Sequence, residues 1–186
     1  MSGTRAYHHG DLRRALLAAA LEVVGEVGPA ALSLRDLARR AGVSHAAPAH
    51  HFGDKAGLLT ALAAQGFDLL AETLTAADDD LLEAGVAYVD FAVTHRAYFE
   101  VMFRPELYRA DDAELIAARS RAGAALRSGV AALSNGGAPA DTDRDSLAAW
   151  SIAHGFATLW LAGALPDRVG DNPREAARAV LRRLPT

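Results

Sequence analysis

The chain has no cysteine and only one lysine in 186 residues. The absence of cysteine excludes disulfides, thiolate zinc sites and cysteine nucleophiles. No apolar–polar alternation of the kind that marks a β-strand persists anywhere, so no sheet is expected. An apolar run begins at Ala15, but Glu22 interrupts it after seven residues, and the N-terminus therefore does not resemble a signal peptide. What remains has helical spacing in nearly every segment.

One segment is nearly long enough to cross a bilayer as a helix. Residues 146–166, SLAAWSIAHGFATLWLAGALP, contain no formally charged residue, and about 20 apolar residues span a membrane. The segment also contains Ser151, His154 and Thr158, and charged residues flank it on both sides. We therefore expect a helix buried in a core or an oligomer interface, in a cytoplasmic protein without a membrane partner.

The first third of the chain predicts four helices. The first is expected over residues 10–27. Ser33 begins a capping box that starts a second helix, and Gly42 ends this helix. Ser44 is expected to cap a short third helix, and Asp54 a longer fourth one.

Helical spacing continues to the end of the chain. Further helices are expected near residues 81–95, 97–103, 111–133, 143–163 and 172–184. The predicted fold is all-α, with a three-helix head at residues 1–56 and a larger helical bundle at 57–186.

Charge is distributed unevenly between these two parts. Residues 1–60 carry seven basic and five acidic side chains, a net +2, although the whole chain has −4. Five of the seven histidines also lie in this stretch. A polyanion would therefore meet the head rather than the acidic body.

Three of these histidines, His45, His50 and His51, surround a Gly-Val-Ser turn. Adjacent His50 and His51 diverge by about 100° on a helix and cannot easily share a metal ion. His45 and His50 are five residues apart, and no HExxH-type site is present. We predict no metal site here, which leaves histidines that face nucleic acid or histidines that are simply solvated.

The second and third helices have the spacing of a helix-turn-helix. Ala38 is small where the helices cross, and Gly42 tolerates the positive φ of the turn. The apolar or small positions are Leu34, Leu37, Ala38, Gly42, Val43 and Pro48. The positions left to point outward are Ser44, His45, Ala46, His50 and His51. Lys55 follows at the N-terminus of the fourth helix, where backbone N–H groups favour phosphate.

This head resembles that of the tetracycline-repressor-like (TetR) transcriptional regulators. The matching residues are Ser33, Arg35, Leu37, Ala38, Ala41, Gly42, Val43, Ser44, His51, Phe52, Lys55 and Leu58. In the body, Tyr88–His95, Met102-Phe103 and Trp150–Gly155 resemble the C-terminal ligand-binding domain named for its Trp-His-Gly signature. The resemblance covers most of the chain.

The resemblance implies binding to double-stranded DNA. It places Arg35, Ser44, His45, Ala46 and His50 at the major groove or its edges, and His51 and Lys55 on phosphates. Ala49 stands where the family usually has a tyrosine that contacts the DNA backbone, so weaker binding or altered specificity is expected at this position. His8 and His9 either order an N-terminal arm on DNA or are flexible.

The resemblance also implies a sensor body. An apolar or aromatic small molecule of unknown identity is expected to bind among Phe91, His95, Phe99, Met102, Trp150 and His154. The alternative for His154 is a buried histidine that is hydrogen-bonded within the core. No cofactor is expected.

The last two long helices resemble the dimerisation pair of the family. The candidate interface residues are Leu147, Phe156, Leu159, Trp160, Val180 and Leu181. A homodimer implies a palindromic operator with half-sites about one helical turn apart. The resulting hypothesis is a ligand-responsive transcriptional regulator, with repression as the family default.

Two other functional classes are alternatives to this hypothesis. An enzyme is not expected, because the chain shows no nucleophile–base–acid set, no phosphate loop and no metal spacing. A ligand-binding dimer whose DNA binding is weakened or lost remains an alternative, because of Ala49.

Overall fold

The structure, a computed structural model, describes the backbone of residues 4–77, 80–133 and 139–183. It describes the side chains of residues 12–77, 80–132 and 141–183, so the question about His8 and His9 lies outside them. In the described residues, secondary structure is helical and contains no strand, which confirms the predicted all-α fold. The α-helices are α1 Thr4–Ala31, α2 Leu34–Arg40, α3 Ala47–Phe52, α4 Lys55–Thr75, α5 Leu81–Thr94, α6 Arg96–Met102, α7 Ala113–Leu133, α8 Pro139–Leu161 and α9 Pro173–Leu181.

The chain forms two compact units. The first unit comprises residues 1–66 and 97–116, and the second comprises residues 67–96 and 117–186. The first unit therefore contains the three-helix head, the first part of α4, all of α6 but its first residue, and the loop that follows α6. The functional division expected at 56/57 stays a prediction.

In the first unit, α1 is interrupted by Gly28, whose φ of +77° is outside the helical region. The core of the head consists of apolar side chains from α1 and α2, among which Leu16, Ala20, Leu37 and Ala38 are fully buried. The guanidinium of Arg13 lies over the ring of Phe52, 5.4 Å from its centroid. This contact joins α1 to α3.

Two cap predictions for the head differ from the structure. Ser33 has the extended backbone of an N-cap, but its side chain makes no capping hydrogen bond. Ser44 does not cap α3, because the helix begins only at Ala47. The carbonyl of Ser44 instead accepts the N–H of Ala47 at 3.0 Å within the turn.

In the second unit, α5 packs against α8 and α9. The side chain of Leu181 on α9 approaches α5 closely at Gly85, where an added Cβ would lie 2.8 Å from Cδ1 of Leu181. Arg174 donates to Asp90 at 3.0 Å, and Arg178 pairs with Glu83. Two ion pairs and one glycine thus align α9 on α5.

The uncharged stretch at residues 146–166 lies mostly within α8. Across the described parts of the chain, no helix combines the length and apolar character that crossing a bilayer requires.

Candidate functional site

The turn between α2 and α3 has the geometry that a helix-turn-helix requires. Gly42 ends α2 with φ of +65°, a conformation that a side chain would strain. The N–H of Val43 donates back to the carbonyl of Ala38 at 3.0 Å, which closes the end of the helix. Pro48 and Phe52 are the buried residues of α3. One face of α3 is therefore packed against the rest of the head.

Eight side chains are predicted from the sequence to contact DNA. They lie on the opposite face of α3, on α2, in the turn before α3 and at the start of α4. Six of the eight are exposed, namely Arg35, Ser44, His45, Ala46, Ala49 and His50. His51 and Lys55 are half-buried. The rings of His50 and His51 meet edge to face with centroids 5.6 Å apart. The exposed side chains are accessible to DNA, and DNA contact by these residues stays a prediction.

The arginines of α2 are also paired within the head. Arg39 lies 3.0 Å from Asp36, and Arg40 lies 2.8 Å from Glu26. Each pair is exposed, so it contributes little to stability. The pairs do reduce the repulsion that these two carboxylates would exert on a polyanion.

The start of α4 adjoins the recognition face, by which we mean the exposed side of α3. Oδ1 of Asp54 accepts the N–H of Gly57 at 2.8 Å, which confirms Asp54 as the cap of α4. Oδ2 of Asp54 accepts from Nη2 of Arg109 at 2.9 Å. The N–H of Gly57 and, after it, the charge of Arg109 lower the pKa of Asp54. Lys55 Nζ donates to the carbonyl of Ala30 at 2.6 Å.

A hydrogen-bonded cluster in the second unit joins α5 to α8. The hydroxyl of Tyr88 lies 2.8 Å from Nδ1 of His154, and Nε1 of Trp150 donates to the same hydroxyl at 3.2 Å. Burial lowers the pKa of His154 and raises that of Tyr88. The structure thus brings together two residues of the predicted ligand pocket. Tyr88, which was not assigned to the pocket, is the group that connects them.

The other pocket candidates lie elsewhere. In the second unit, the ring of buried Phe91 is 5.1 Å from that of exposed His95. Phe99 and Met102 are buried on α6 in the first unit. An open groove in the second unit is lined by residues of α4, the turn after it and α7: Asp68, Ala71, Glu72, Thr75, Ala76, Arg121, Ala124 and Ala125. The pocket assignment stays a prediction.

Apolar side chains are exposed on α8 and α9. Leu147, Trp150 and Leu159 project from α8, and Val180 projects from α9. Of the remaining interface candidates, Trp160 and Leu181 are half-buried and Phe156 is buried. Exposed apolar residues on adjacent helices are typical of a protein interface.

No group of three or more histidine, aspartate or glutamate side chains is placed to hold a metal ion in the part of the chain that the structure describes.

Comparison with known proteins adds family information to this geometry. A family described as bacterial regulatory proteins, tetR family, matches residues 16–62. A second, described as the tetracyclin repressor-like C-terminal domain, matches residues 81–184. The two matches together cover the helix-turn-helix and nearly all of the second unit.

Individual relatives agree with the family matches. A solved structure of a Rhodococcus sp. RHA1 protein of unknown function is 36% identical, covers 94% of this chain and 93% of its own, and has a TM-score of 0.77. The multidrug binding protein EbrR, solved with imidazole, is 24% identical, with 94% and 90% coverage and a TM-score of 0.60. The HTH-type transcriptional regulator BetI of Rhizobium meliloti is 49% identical over 49 residues, 26% of this chain. That match spans about a quarter (24%) of BetI.

Proposed function

Because the chain belongs to the tetR family of bacterial regulatory proteins, and is a DNA-binding transcriptional regulator rather than an enzyme, we propose that it is a ligand-controlled repressor. It binds a palindromic operator as a homodimer, and an apolar or aromatic small molecule releases it.

The observation that carries the proposal is the recognition face. Gly42 allows the tight turn, and buried Pro48 and Phe52 fix α3 on the head. His45 and His50 remain exposed on the other side. An imidazole can donate to a purine acceptor or to a phosphate oxygen, and the small side chain of Ala46 lets the backbone approach the groove.

Dimerisation is supported by the exposed apolar residues of α8 and α9. A three-helix head reads only a few base pairs, so a second copy is needed to gain specificity. A two-fold interface uses the same surface on both subunits. The apolar side chains of Leu147, Leu159 and Val180 provide such a surface.

Ligand control is supported by the hydrogen-bonded cluster of Tyr88, Trp150 and His154, which joins α5 to α8 in the second unit. A few convergent polar groups in an apolar setting are typical of small-molecule sites. The multidrug-binding relative has the same fold. A ligand that favours the released state by ~3 kcal/mol would shift the balance more than a hundredfold.

The test is a selection from fragmented genomic DNA of the source organism. Purified protein is incubated with the fragments at moderate salt, and the bound fragments are sequenced with and without candidate ligands. The proposal expects enrichment of a short palindrome with half-sites about one helical turn apart. A folded dimer that enriches nothing would contradict it.

Ala49 supports a second candidate, a ligand-binding dimer whose DNA binding is weakened or lost. Ala49 is exposed on α3 and has no group that can donate to phosphate. Failure of the selection together with tight binding of a small molecule would favour this candidate.

A further inference from the structure

The guanidinium of Arg109 lies beside the start of α4, on the segment between α6 and α7. The backbone N–H of Arg109 donates to Oγ1 of Thr60 at 3.0 Å, whereas its Nη2 donates to Oδ2 of Asp54 at 2.9 Å. Thr60 and Asp54 are six residues apart, about 9 Å along a helix axis. The side chain of Arg109 therefore runs along α4 toward its N-terminus.

Gly57 leaves space that this guanidinium occupies. A Cβ at Gly57 would lie 3.1 Å from Nη1 of Arg109, whereas a Cβ at Gly53 would lie at an ordinary contact distance, 3.8 Å from Nη2. The Cβ at Gly57 would also lie only 2.0 Å from the carbonyl oxygen of Phe52. The glycine at position 57 thus allows both the carbonyl of Phe52 and the guanidinium of Arg109 to approach α4 at its junction with α3.

Helix stability alone does not explain a cation in this place. The N-terminus of a helix carries partial positive charge, so a cation beside it is unfavourable. The ion pair with Asp54 is exposed on both sides, and such pairs contribute little. However, a guanidinium and a helix N-terminus together attract an external anion, and phosphate is one of the anions that a guanidinium binds through two N–H groups.

The position relative to the recognition face identifies the anion. Arg109 meets Asp54, which directly follows the recognition helix and precedes Lys55. Without Arg109, the carboxylate of Asp54 would repel a phosphate at this point. Asp112, three residues after Arg109, has a separate role. Its carboxylate accepts from the backbone N–H groups of Glu114 and Leu115 and so caps α7.

We propose that Arg109 is a DNA-binding residue of this protein. Its guanidinium neutralises Asp54 and donates its remaining N–H groups to a backbone phosphate at the start of α4. The loop between α6 and α7 thereby contributes to an interface otherwise formed by the head. The proposal rests on DNA binding alone, and neither repression nor ligand response is needed for it.

The test measures binding to a labelled duplex of arbitrary sequence, about 30 base pairs long, between about 50 and 200 mM salt. Arg109→Gln should reduce the slope of log K against log salt by about 0.9, the value for one phosphate contact. Affinity should fall about fivefold to tenfold, and equally on every sequence. Arg109→Lys keeps the charge and should retain the slope.

A matched control is Arg121→Gln in the second unit. Arg121 pairs with Asp68 at 2.7 Å, and its side chain is 53% exposed, against 50% for Arg109. The Arg121→Gln variant should leave both the duplex affinity and the salt slope unchanged. An Arg109→Gln slope equal to that of Arg121→Gln would overturn the proposal.

The Asp54→Asn variant distinguishes two roles of Arg109: direct contact with a phosphate, and neutralisation of the Asp54 carboxylate. Asparagine still caps the helix with its side-chain oxygen. We expect this variant to bind more tightly than the wild type, and Asp54→Asn/Arg109→Gln to bind more weakly than Asp54→Asn, with the lower slope. A double variant that matches Asp54→Asn would show that Arg109 only neutralises the acid, and would overturn the proposal. A wild type that binds no duplex would contradict DNA binding itself.

Discussion

The hydroxyl of Tyr88 lies 2.8 Å from Nδ1 of His154 while the indole N–H of Trp150 donates to that hydroxyl at 3.2 Å. An indole N–H can only donate, so the tyrosine oxygen accepts it, and the hydroxyl hydrogen is available to Nδ1 when that nitrogen carries no proton. A neutral His154 with its hydrogen on Nε2 fits this arrangement. The lowered pKa that burial gives His154 agrees with this state.

The neutral state of His154 predicts a pH dependence of stability. The unfolded chain binds a proton near pH 6.5 that the folded chain takes up only at lower pH. Stability is therefore lost as pH falls below about 6.5, and this loss levels off below the folded pKa. His154→Gln, whose amide oxygen can still accept from Tyr88, should lose less Tm than the wild type between about pH 7.5 and 5.5.

Thermal melts at the two pH values measure this effect. His95→Gln replaces an exposed histidine of the same unit and should behave like the wild type. Equal losses of Tm in all three proteins would contradict the proton assignment for His154.

Two helical glycines should respond to alanine in opposite directions. A Cβ at Gly25 in α1 meets nothing within 4 Å, so Gly25→Ala should raise the free energy of unfolding by about 0.5–1 kcal/mol. A Cβ at Gly57 would lie 2.0 Å from the carbonyl oxygen of Phe52. Gly57→Ala should therefore lower this free energy by roughly 1–3 kcal/mol. Urea unfolding measures both, and a neutral Gly57→Ala would show that the α3–α4 junction can relax.

The proposed dimer can be tested by introducing one charged side chain at its interface. Leu147 on α8 is 58% exposed, and Ile116 on α7 is 52% exposed. Leu147→Glu should weaken dimerisation roughly a hundredfold, because a carboxylate would be buried without a partner. Ile116→Glu should have no effect. Sedimentation or light scattering distinguishes the 19.5 kDa chain from its dimer, and a dimer that survives Leu147→Glu would place the interface elsewhere.

Ala49→Tyr distinguishes a working regulator from the second candidate. A tyrosine hydroxyl at this exposed site of α3 can donate to a phosphate. If the protein is a working regulator, duplex affinity should rise about threefold to tenfold from a measurable baseline. A large gain from an undetectable baseline would instead support a ligand-binding dimer that has lost its DNA contact. Ala117→Tyr, at an exposed alanine of α7, is the control.

Local patterns in the sequence predicted most of the fold. Asp54 was expected to cap α4, and its carboxylate does accept the N–H of Gly57. Gly42 was expected to end α2, and it does so with positive φ. These features depend on a few consecutive residues, which is why spacing reveals them. The start of α3 was predicted wrongly, since Ser44 can serve equally as a cap or as a turn acceptor and only the packing of Pro48 and Phe52 decides between them.

Contacts between distant segments were not predictable in the same way. Arg109 and Asp54 are 55 residues apart, and Tyr88 and His154 are 66 apart. Neither pair leaves a local pattern, because the partners meet only when separate helices pack. The exposed side of α3 was therefore predicted from the sequence. The pairing of Arg109 with Asp54 and the contact of Tyr88 with His154 were not.

The measurement that tests the central claim most directly is the genomic selection, performed side by side with wild type, His50→Ala and His95→Ala. His50 belongs to the recognition face and His95 to the second unit. We predict that the wild type and His95→Ala enrich the same palindrome, and that His50→Ala loses or changes this preference. The same palindrome, equally enriched by His50→Ala, would contradict the assignment of DNA reading to this histidine on α3.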